Sequence, residues 1–338
     1  MNLTLLLSTI SGCSLGAVVF LRLAQKYGLH DHPNGRSSHR QPTVTGMGII
    51  VVLGFLIYLL WQPFELQANF VIGFLLLTTI SFIDDIYFLK HSFRLFFQVL
   101  AMAFMVLQLP FQSSGLEAMV LGSAAVIFGV GVLNAYNFMD GVNGMLTLHA
   151  LLVLGCLLYL NETLTDAAGQ AIQFTNSNFI IAIIVPMAIF GFFNFRKHAL
   201  AFIGDVGSIG IAFITVYLMY SLLLHTGNYT YLLLFCIFGA DAGLTVIYKL
   251  ILRENIFVPH RDFLFKKMAH IARVPHLSIS IYYFLAQLVI NLLVLFAFPK
   301  TPKLSTQMAL LFIIVVAMVA VYIYFQNEFA RRKSGRQK

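Results

Sequence analysis

The sequence predicts an all-α fold: a polytopic transmembrane helical bundle of about eleven helices, with the N-terminus outside and the C-terminus in the cytoplasm. Three observations carry this. Hydrophobic residues make up 59% of the 338-residue chain and charged residues only 10%, whereas soluble proteins carry about 25% charged residues. Mean hydropathy is +0.87, and the apolar residues fall into segments close to the roughly 20 residues that cross a hydrocarbon core. All of the 21 Lys and Arg except Lys300 and Lys303 fall between segments on one side, the bias that keeps loops in the cytoplasm. A soluble enzyme, a disordered scaffold and a secreted disulfide-rich module are thereby excluded. The net charge of +8 resides in short loops, so it reads as topology and not as nucleic-acid binding. Cys13, Cys156 and Cys236 lie inside apolar stretches without metal spacing and read as packing residues.

The spans are 3–24, 46–61, 69–84, 95–111, 117–133, 145–160, 178–194, 208–226, 230–250, 279–298 and 307–326. The shorter ones are accommodated by tilt and local thinning. The first is a helix and not a signal peptide, because it lacks a basic start and a small-x-small cleavage site. No internal repeat or linker interrupts the chain, so residues 1–338 are expected to form a single membrane domain. Asp31, Asp84, Asp85, Asp140 and Asp205 fall at the cytoplasmic ends, while Glu65, Glu117, Glu162 and Asp166 are scattered outside. Any chemistry therefore belongs to the cytoplasmic face.

The first cytoplasmic loop, Asp31 to Gly48, is Pro-, Gly- and Asn-rich and reads as irregular. Its Arg36, His39 and Arg40 are donors suited to phosphate, although a solvated basic loop has the same composition. Asp84 and Asp85 close the third span. Adjacent carboxylates repel, and a helix C-terminus disfavours negative charge, so a cation beside them is expected. Arg94 follows and could pair with an Asp or face the same anion. The third loop, Asn134-Ala-Tyr-Asn137-Phe-Met-Asp140-Gly-Val-Asn143-Gly144, offers amide and carboxylate oxygens of the hard type that Mg²⁺ takes.

The fourth loop, Phe202-Ile-Gly204-Asp205-Val-Gly207-Ser208, is a glycine turn entering a helix, a shape that presents N–H groups to an anion. Asp205 would repel a bare phosphate, so the two together imply a bridging metal. Alternatively, Asp205 is a helix cap. The fifth loop, with His260, Arg261, Lys266 and Lys267, suits a pyrophosphate or the anionic leaflet. Acids and amides for Mg²⁺, glycine turns and cations for a pyrophosphate fit phosphoryl transfer, which is mostly positioning and charge neutralisation. In a membrane, one substrate is then a lipid.

Asp84-Asp85, Asn134-x-x-Asn137-x-x-Asp140-Gly-x-x-Gly144 and Phe202-x-Gly204-Asp205-x-Gly-Ser, in this order and on alternate loops, resemble the signatures of the polyprenyl-phosphate N-acetylhexosamine-1-phosphate transferases, the MraY/WecA/WbpL superfamily. Pro33-Asn-x-Arg36-Ser-x-His39-x-x-Pro-Thr and Pro259-His260-Arg261 look closest to the WbpL-like branch, which initiates O-antigen or capsule-type glycans. The resemblance implies that a UDP-N-acetylhexosamine and undecaprenyl phosphate give undecaprenyl-diphospho-HexNAc and UMP. It implies Asn137 and Asp205 as ligands of Mg²⁺, with Mn²⁺ as an alternative. Asp84, Asp85 and Asp140 are implied as catalytic acids, Phe202 as the platform under uracil and Asn143 as a contact to its edge. Arg94, Arg261 and His260 are implied at the pyrophosphate, and Arg36, His39, Asn134 and Gly204 complete the substrate-binding set.

Departures from the pattern, Thr45, Phe88, Asn143 and Phe263 at positions where relatives often carry other groups, leave the sugar open: GlcNAc is the default, and GalNAc, FucNAc and QuiNAc remain. A homodimer is suggested by analogy with relatives alone. The rival from another class is a secondary transporter, for which Asp241, flanked by Gly239 and Gly243 within a span, is the residue of interest. A CDP-alcohol phosphotransferase would need Ala-Arg after Asp140-Gly141, where the chain has Val-Asn.

Overall fold

The computed structural model describes residues 2–31, 41–63, 66–109, 115–166, 168–254, 262–300 and 302–335. The fold is an all-α bundle. The helices are α1 (Leu3–Tyr27), α2 (Ile49–Trp61), α3 (Ala68–Tyr87), α4 (His91–Leu107), α5 (Gly115–Met139), α6 (Met145–Thr163), α7 (Ser177–Asn194), α8 (Gly204–Thr226), α9 (Cys236–Ile251), α10 (Leu264–His270), α11 (His276–Leu292) and α12 (Leu304–Gly335). A 3₁₀ segment, Tyr229–Phe235, leads into α9, and a π turn, Leu293–Ala297, ends α11. Among the described residues nine helical segments are long and apolar enough to cross a membrane, and α2 and α4 are shorter apolar helices. These eleven match the eleven predicted spans one for one. At 1.5 Å per residue the 13-residue α2 is only about 20 Å long, short for a full crossing without local thinning.

The ends of the eleven apolar helices fall at two faces. At one face Asn2 N donates to Asn178 Oδ1 at 3.1 Å, Phe70 N to Gln108 Oε1 at 2.9 Å and Tyr229 N to Gln307 Oε1 at 2.8 Å. At the other face sit the ends that carry the sequence motifs.

The hub is α8. Its sequence is apolar all round, as expected of a helix with no solvent face, and almost every residue from Val206 to Leu222 is buried. It packs against α2, α3, α5 and α6. An aromatic cluster fills the space between α2, α3, α7 and α8: Phe55 lies 4.2 Å from Phe74, and Phe70 lies 4.2 Å from Tyr217, ring centre to ring centre. In lipid, helices associate through close packing of small residues. Here a Cβ on Gly48 would stand 2.1 Å from Gly207 Cα, and a Cβ on Gly207 2.5 Å from Gly48 Cα. This glycine-on-glycine crossing brings the start of α2 against the start of α8.

Four segments depart from the sequence expectation. The first loop is not wholly irregular: β1 (His30–Asp31) pairs antiparallel with β2 (Thr43–Val44). Helix α5 continues to Met139, so Asn134 and Asn137 are helical and not part of a loop. No Gly or Pro intervenes before Gly141, and both side chains find partners. Helix α8 begins at Gly204, so Asp205 lies in its first turn. The fifth loop contains α10, whose seven residues are too few to show periodicity.

Asp241 explains how α10 is held. The carboxylate is buried, and it accepts from Leu264 N at 2.8 Å, Tyr283 OH at 2.7 Å and Phe265 N at 3.4 Å. It thus satisfies the free N–H groups at the start of α10 and joins α9 to α11. With its oxygens committed to the chain, Asp241 offers nothing to a transported solute, which removes the residue on which the transporter reading rested.

Gly48→Ala is expected to destabilise the protein by about 1–3 kcal/mol, the usual range for overpacking. The added carbon would meet backbone atoms of Gly207 and Ile203, which cannot swing aside. Thermal unfolding of the detergent-purified protein checks this: the melting temperature should fall clearly, and an unchanged value would contradict the crossing.

Candidate active site

Asp84 and Asp85 occupy successive positions in the last turn of α3, and successive helical residues point about 100° apart. They therefore serve different neighbours. Asp85 reaches α8, where Oδ1 accepts from Asp205 N at 2.8 Å and Oδ2 from Val206 N at 3.1 Å. The free N–H groups at the α8 N-terminus are an anion site, and here the anion is Asp85. They are thus not presented to a phosphate, as the glycine turn had suggested. Asp84 accepts from Leu89 N at 2.6 Å and from Arg94 Nη1 at 2.6 Å. The same Arg94 Nη1 donates to Asp205 Oδ2 at 2.9 Å, so one guanidinium nitrogen bridges the acids of α3 and α8. Asn137 approaches from α5 and donates to Ser208 Oγ at 3.3 Å.

Gly204 makes this junction possible. Its φ is +71°, a backbone region that favours glycine, and a Cβ there would stand 2.5 Å from Asp85 Oδ2 and 2.8 Å from Gly46 Cα. Beside it the first loop is stitched on: Phe202 N donates to Val44 O at 2.7 Å, Met47 N to Phe202 O at 3.1 Å and Gly48 N to Ile203 O at 2.8 Å. Phe202 is thereby fixed by its backbone and left half-buried.

These groups line a cavity of about 360 Å³ at the motif-bearing face. Asp84, Asp85, Asp140 and Asp205 make its acidic side, with Asp31, Arg94, Asn137, Asn143, Phe202 and Gly204 also in the lining. Burial, together with the nearby Asp205 and Asp85 carboxylates, holds Asp140 well above the usual carboxylate range. The cluster thus resists a further negative charge and favours a cation. Among the described residues no three His, Cys, Asp or Glu side chains converge as a metal site. Asp84 and Asp205, held together by Arg94, and Asn137 alongside are the oxygen donors that fit a hard cation. Mg²⁺ usually takes only one or two protein carboxylates, with phosphate and water as the other ligands.

Other candidates are placed differently. Asn134 is not in the cavity lining: its amide donates to Gln98 Oε1 and to Val130 O, both at 2.8 Å, and ties α5 to α4. Asn143 lines the cavity, but its amide donates to Arg196 O at 2.8 Å and holds the turn after α7. Arg36, His39, His260 and Arg261 lie outside the described residues.

The structure adds Asn194 and His276, which sequence reasoning did not place at the site, and brings in Lys266, which it had read as suited to a pyrophosphate or the anionic leaflet. Asn194 accepts from Gly144 N at 2.6 Å and donates to Ala201 O at 3.0 Å, so it joins the third and fourth motif loops. Its signal was a lone amide ending an apolar span. Lys266 and His276, from α10 and α11, form part of the wall. Lys266 Nζ stands over the Phe263 and Phe265 rings, 5.2 Å and 5.8 Å from their centres.

Residues 68–223, from α3 into α8, match the model of glycosyl transferase family 4. This stretch contains four of the five cavity carboxylates, Asp84, Asp85, Asp140 and Asp205; the fifth, Asp31, precedes it. No curated protein matches the chain. The family is generally dependent on a divalent metal, and its substrates are a nucleotide sugar and a polyprenyl phosphate in the membrane. Across the helices that build the acid cluster, the chain thus matches glycosyl transferase family 4, the family of the polyprenyl-phosphate hexosamine-1-phosphate transferases.

Proposed function

We propose that the protein transfers an N-acetylhexosamine 1-phosphate from a UDP-sugar to undecaprenyl phosphate, giving undecaprenyl-diphospho-HexNAc and UMP at the cytoplasmic face of a bacterial inner membrane. UDP-GlcNAc is the default donor, and the product would initiate an O-antigen or capsule-type glycan of the WbpL-like kind. The observation that carries this reading is the bridge Asp84–Arg94–Asp205: carboxylates and a guanidinium gathered in one cavity at the end of a lipid-embedded bundle. A soluble donor and a lipid phosphate can both reach such a place.

In this reading an oxygen of the lipid phosphate attacks the sugar-bearing phosphorus of the donor, and the bond to the UMP oxygen breaks. No strong base is needed, because a phosphate monoester has a second pKa of about 6 and is largely dianionic at neutral pH. The work left to the chain is positioning and neutralisation. Phe202 offers a face for the uracil ring, and Arg94 offers planar donors to the diphosphate. Asp84, Asp205 and Asn137 would hold the divalent cation, which when bound supplies charge neutralisation for the diphosphate. Mg²⁺ is the expected ion and Mn²⁺ a substitute.

Asp205→Asn and Asn137→Ala are each expected to leave less than about a tenth of wild-type turnover, a barrier increase above about 1.4 kcal/mol. UMP release by purified protein measures this, with thermal unfolding as the check on folding. A folded variant with more than a tenth of the activity would remove that residue from the metal site.

Sidedness has its own test, resting on the Lys and Arg distribution. Single cysteines at Ser92 and His198, both exposed at the motif-bearing face, should resist a membrane-impermeant thiol reagent in intact cells. One at exposed Lys300 should react, in a background with the three native cysteines replaced. Labelling of Ser92 and His198 positions from outside would invert the orientation and defeat a cytoplasmic donor.

A further inference from the structure

Arg94 stands in an unusual place. It lies in the first turn of α4, where the helix dipole disfavours a positive charge, and its partner Asp84 lies in the last turn of α3, where the dipole disfavours a negative one. Neither helix therefore favours its own charge, and the pair is held by mutual attraction across the gap and by Asp205. The pairing is also incomplete: among the described residues Arg94 Nε is buried with no hydrogen-bond partner, while its side chain remains about one-third exposed and lines the cavity. A buried donor left unmade is costly, so this position satisfies the carboxylates better than it satisfies the arginine.

We infer that Arg94 is the internal counter-cation of the unloaded site and competes with the divalent cation for Asp84 and Asp205. The inference rests on the metal reading proposed above and goes beyond it. When the acids exchange the guanidinium for a metal, the attraction that held Arg94 at the α4 N-terminus is gone. The group is then free to turn into the cavity, where a diphosphate supplies the planar acceptors it lacks. Metal loading and release of Arg94 toward the donor become one coupled event, and a site without metal keeps its arginine closed against the acids.

The test is Mn²⁺ affinity, read by the paramagnetic resonance signal of free Mn²⁺ with full-length detergent-purified protein and no substrate. Arg94→Gln should bind Mn²⁺ at least about fivefold more tightly than wild type, the low end of ordinary site-to-site coupling, while its turnover falls. Arg94→Lys should lie between them, because a lysine keeps the charge but not the planar fork. Lys303→Gln, at the opposite face, controls for net charge and should change nothing. If Arg94→Gln fails to fold without metal, the Mn²⁺-induced rise in melting temperature of Arg94→Lys, larger than that of wild type, reports the same competition. Equal or weaker Mn²⁺ binding by Arg94→Gln would overturn the inference. Asp205→Asn separates the two readings. If it weakens Mn²⁺ binding while Arg94→Gln fails to tighten it, the metal site stands and the competition falls. If Asp205→Asn has no effect, the metal site falls as well.

Discussion

The capping of α8 by Asp85 is the interaction on which the rest of the site depends. A carboxylate at a partly buried helix N-terminus stabilises by up to about 2 kcal/mol, and here it comes from another helix. By holding Asp205 N and Val206 N, Asp85 fixes the end of α3 against the start of α8. That contact puts Asp84 within reach of Arg94 and Arg94 within reach of Asp205. It also dictates the glycines: Gly204 because a side chain would strike Asp85, and Gly48 with Gly207 because α2 must lie against the same end of α8. Two acids side by side in one helix are thus divided between two tasks, one holding the helices and the other facing the guanidinium.

The membrane sets where this can happen. Along the spans the chain is apolar, and association relies on aromatic packing and small-residue contacts. The acids gather only where α3, α5 and α8 end. The third and fourth motif loops are joined there by Asn194, and the first loop is stitched to the fourth by backbone hydrogen bonds around Phe202. The C-terminal helices, beyond the stretch that matches the family, supply the other wall: Asp241, deep in α9, caps α10 and so holds Lys266 at the cavity. An ionisable residue inside a span is a candidate for function by default. Here it is structural, because backbone N–H groups and a tyrosine hydroxyl take up its oxygens.

Much of the fold was legible because a span is a statement about composition. Eleven apolar segments gave eleven apolar helices, and their ends fell at two faces. The ends were less legible. Asn134 and Asn137 read as loop residues because asparagine favours turns when no partner is known, and only the structure shows Gln98 and Ser208 waiting for them. The acid pair pointed to a cation and Arg94 was in view as a partner for an Asp, but that it bridges Asp84 to Asp205 could not be read, since it depends on how α3, α4 and α8 pack. The glycines of the fourth loop looked like a phosphate cradle, because a cradle for a ligand and a seat for a neighbouring backbone require the same residue. Helix α10 was invisible because seven residues carry no periodicity.

The central claim is that this acid-lined cavity joins a soluble nucleotide sugar to a lipid phosphate with the help of a divalent ion. It is tested most directly by UMP release from UDP-GlcNAc, and in parallel from the other UDP-N-acetylhexosamines, with the purified protein in liposomes and each component omitted in turn. The account predicts UMP with at least one of these donors, only when undecaprenyl phosphate and Mg²⁺ are both present, in amounts equal to the lipid-linked sugar diphosphate formed. UMP release that persists without the lipid phosphate, or in the presence of a chelator, would contradict it.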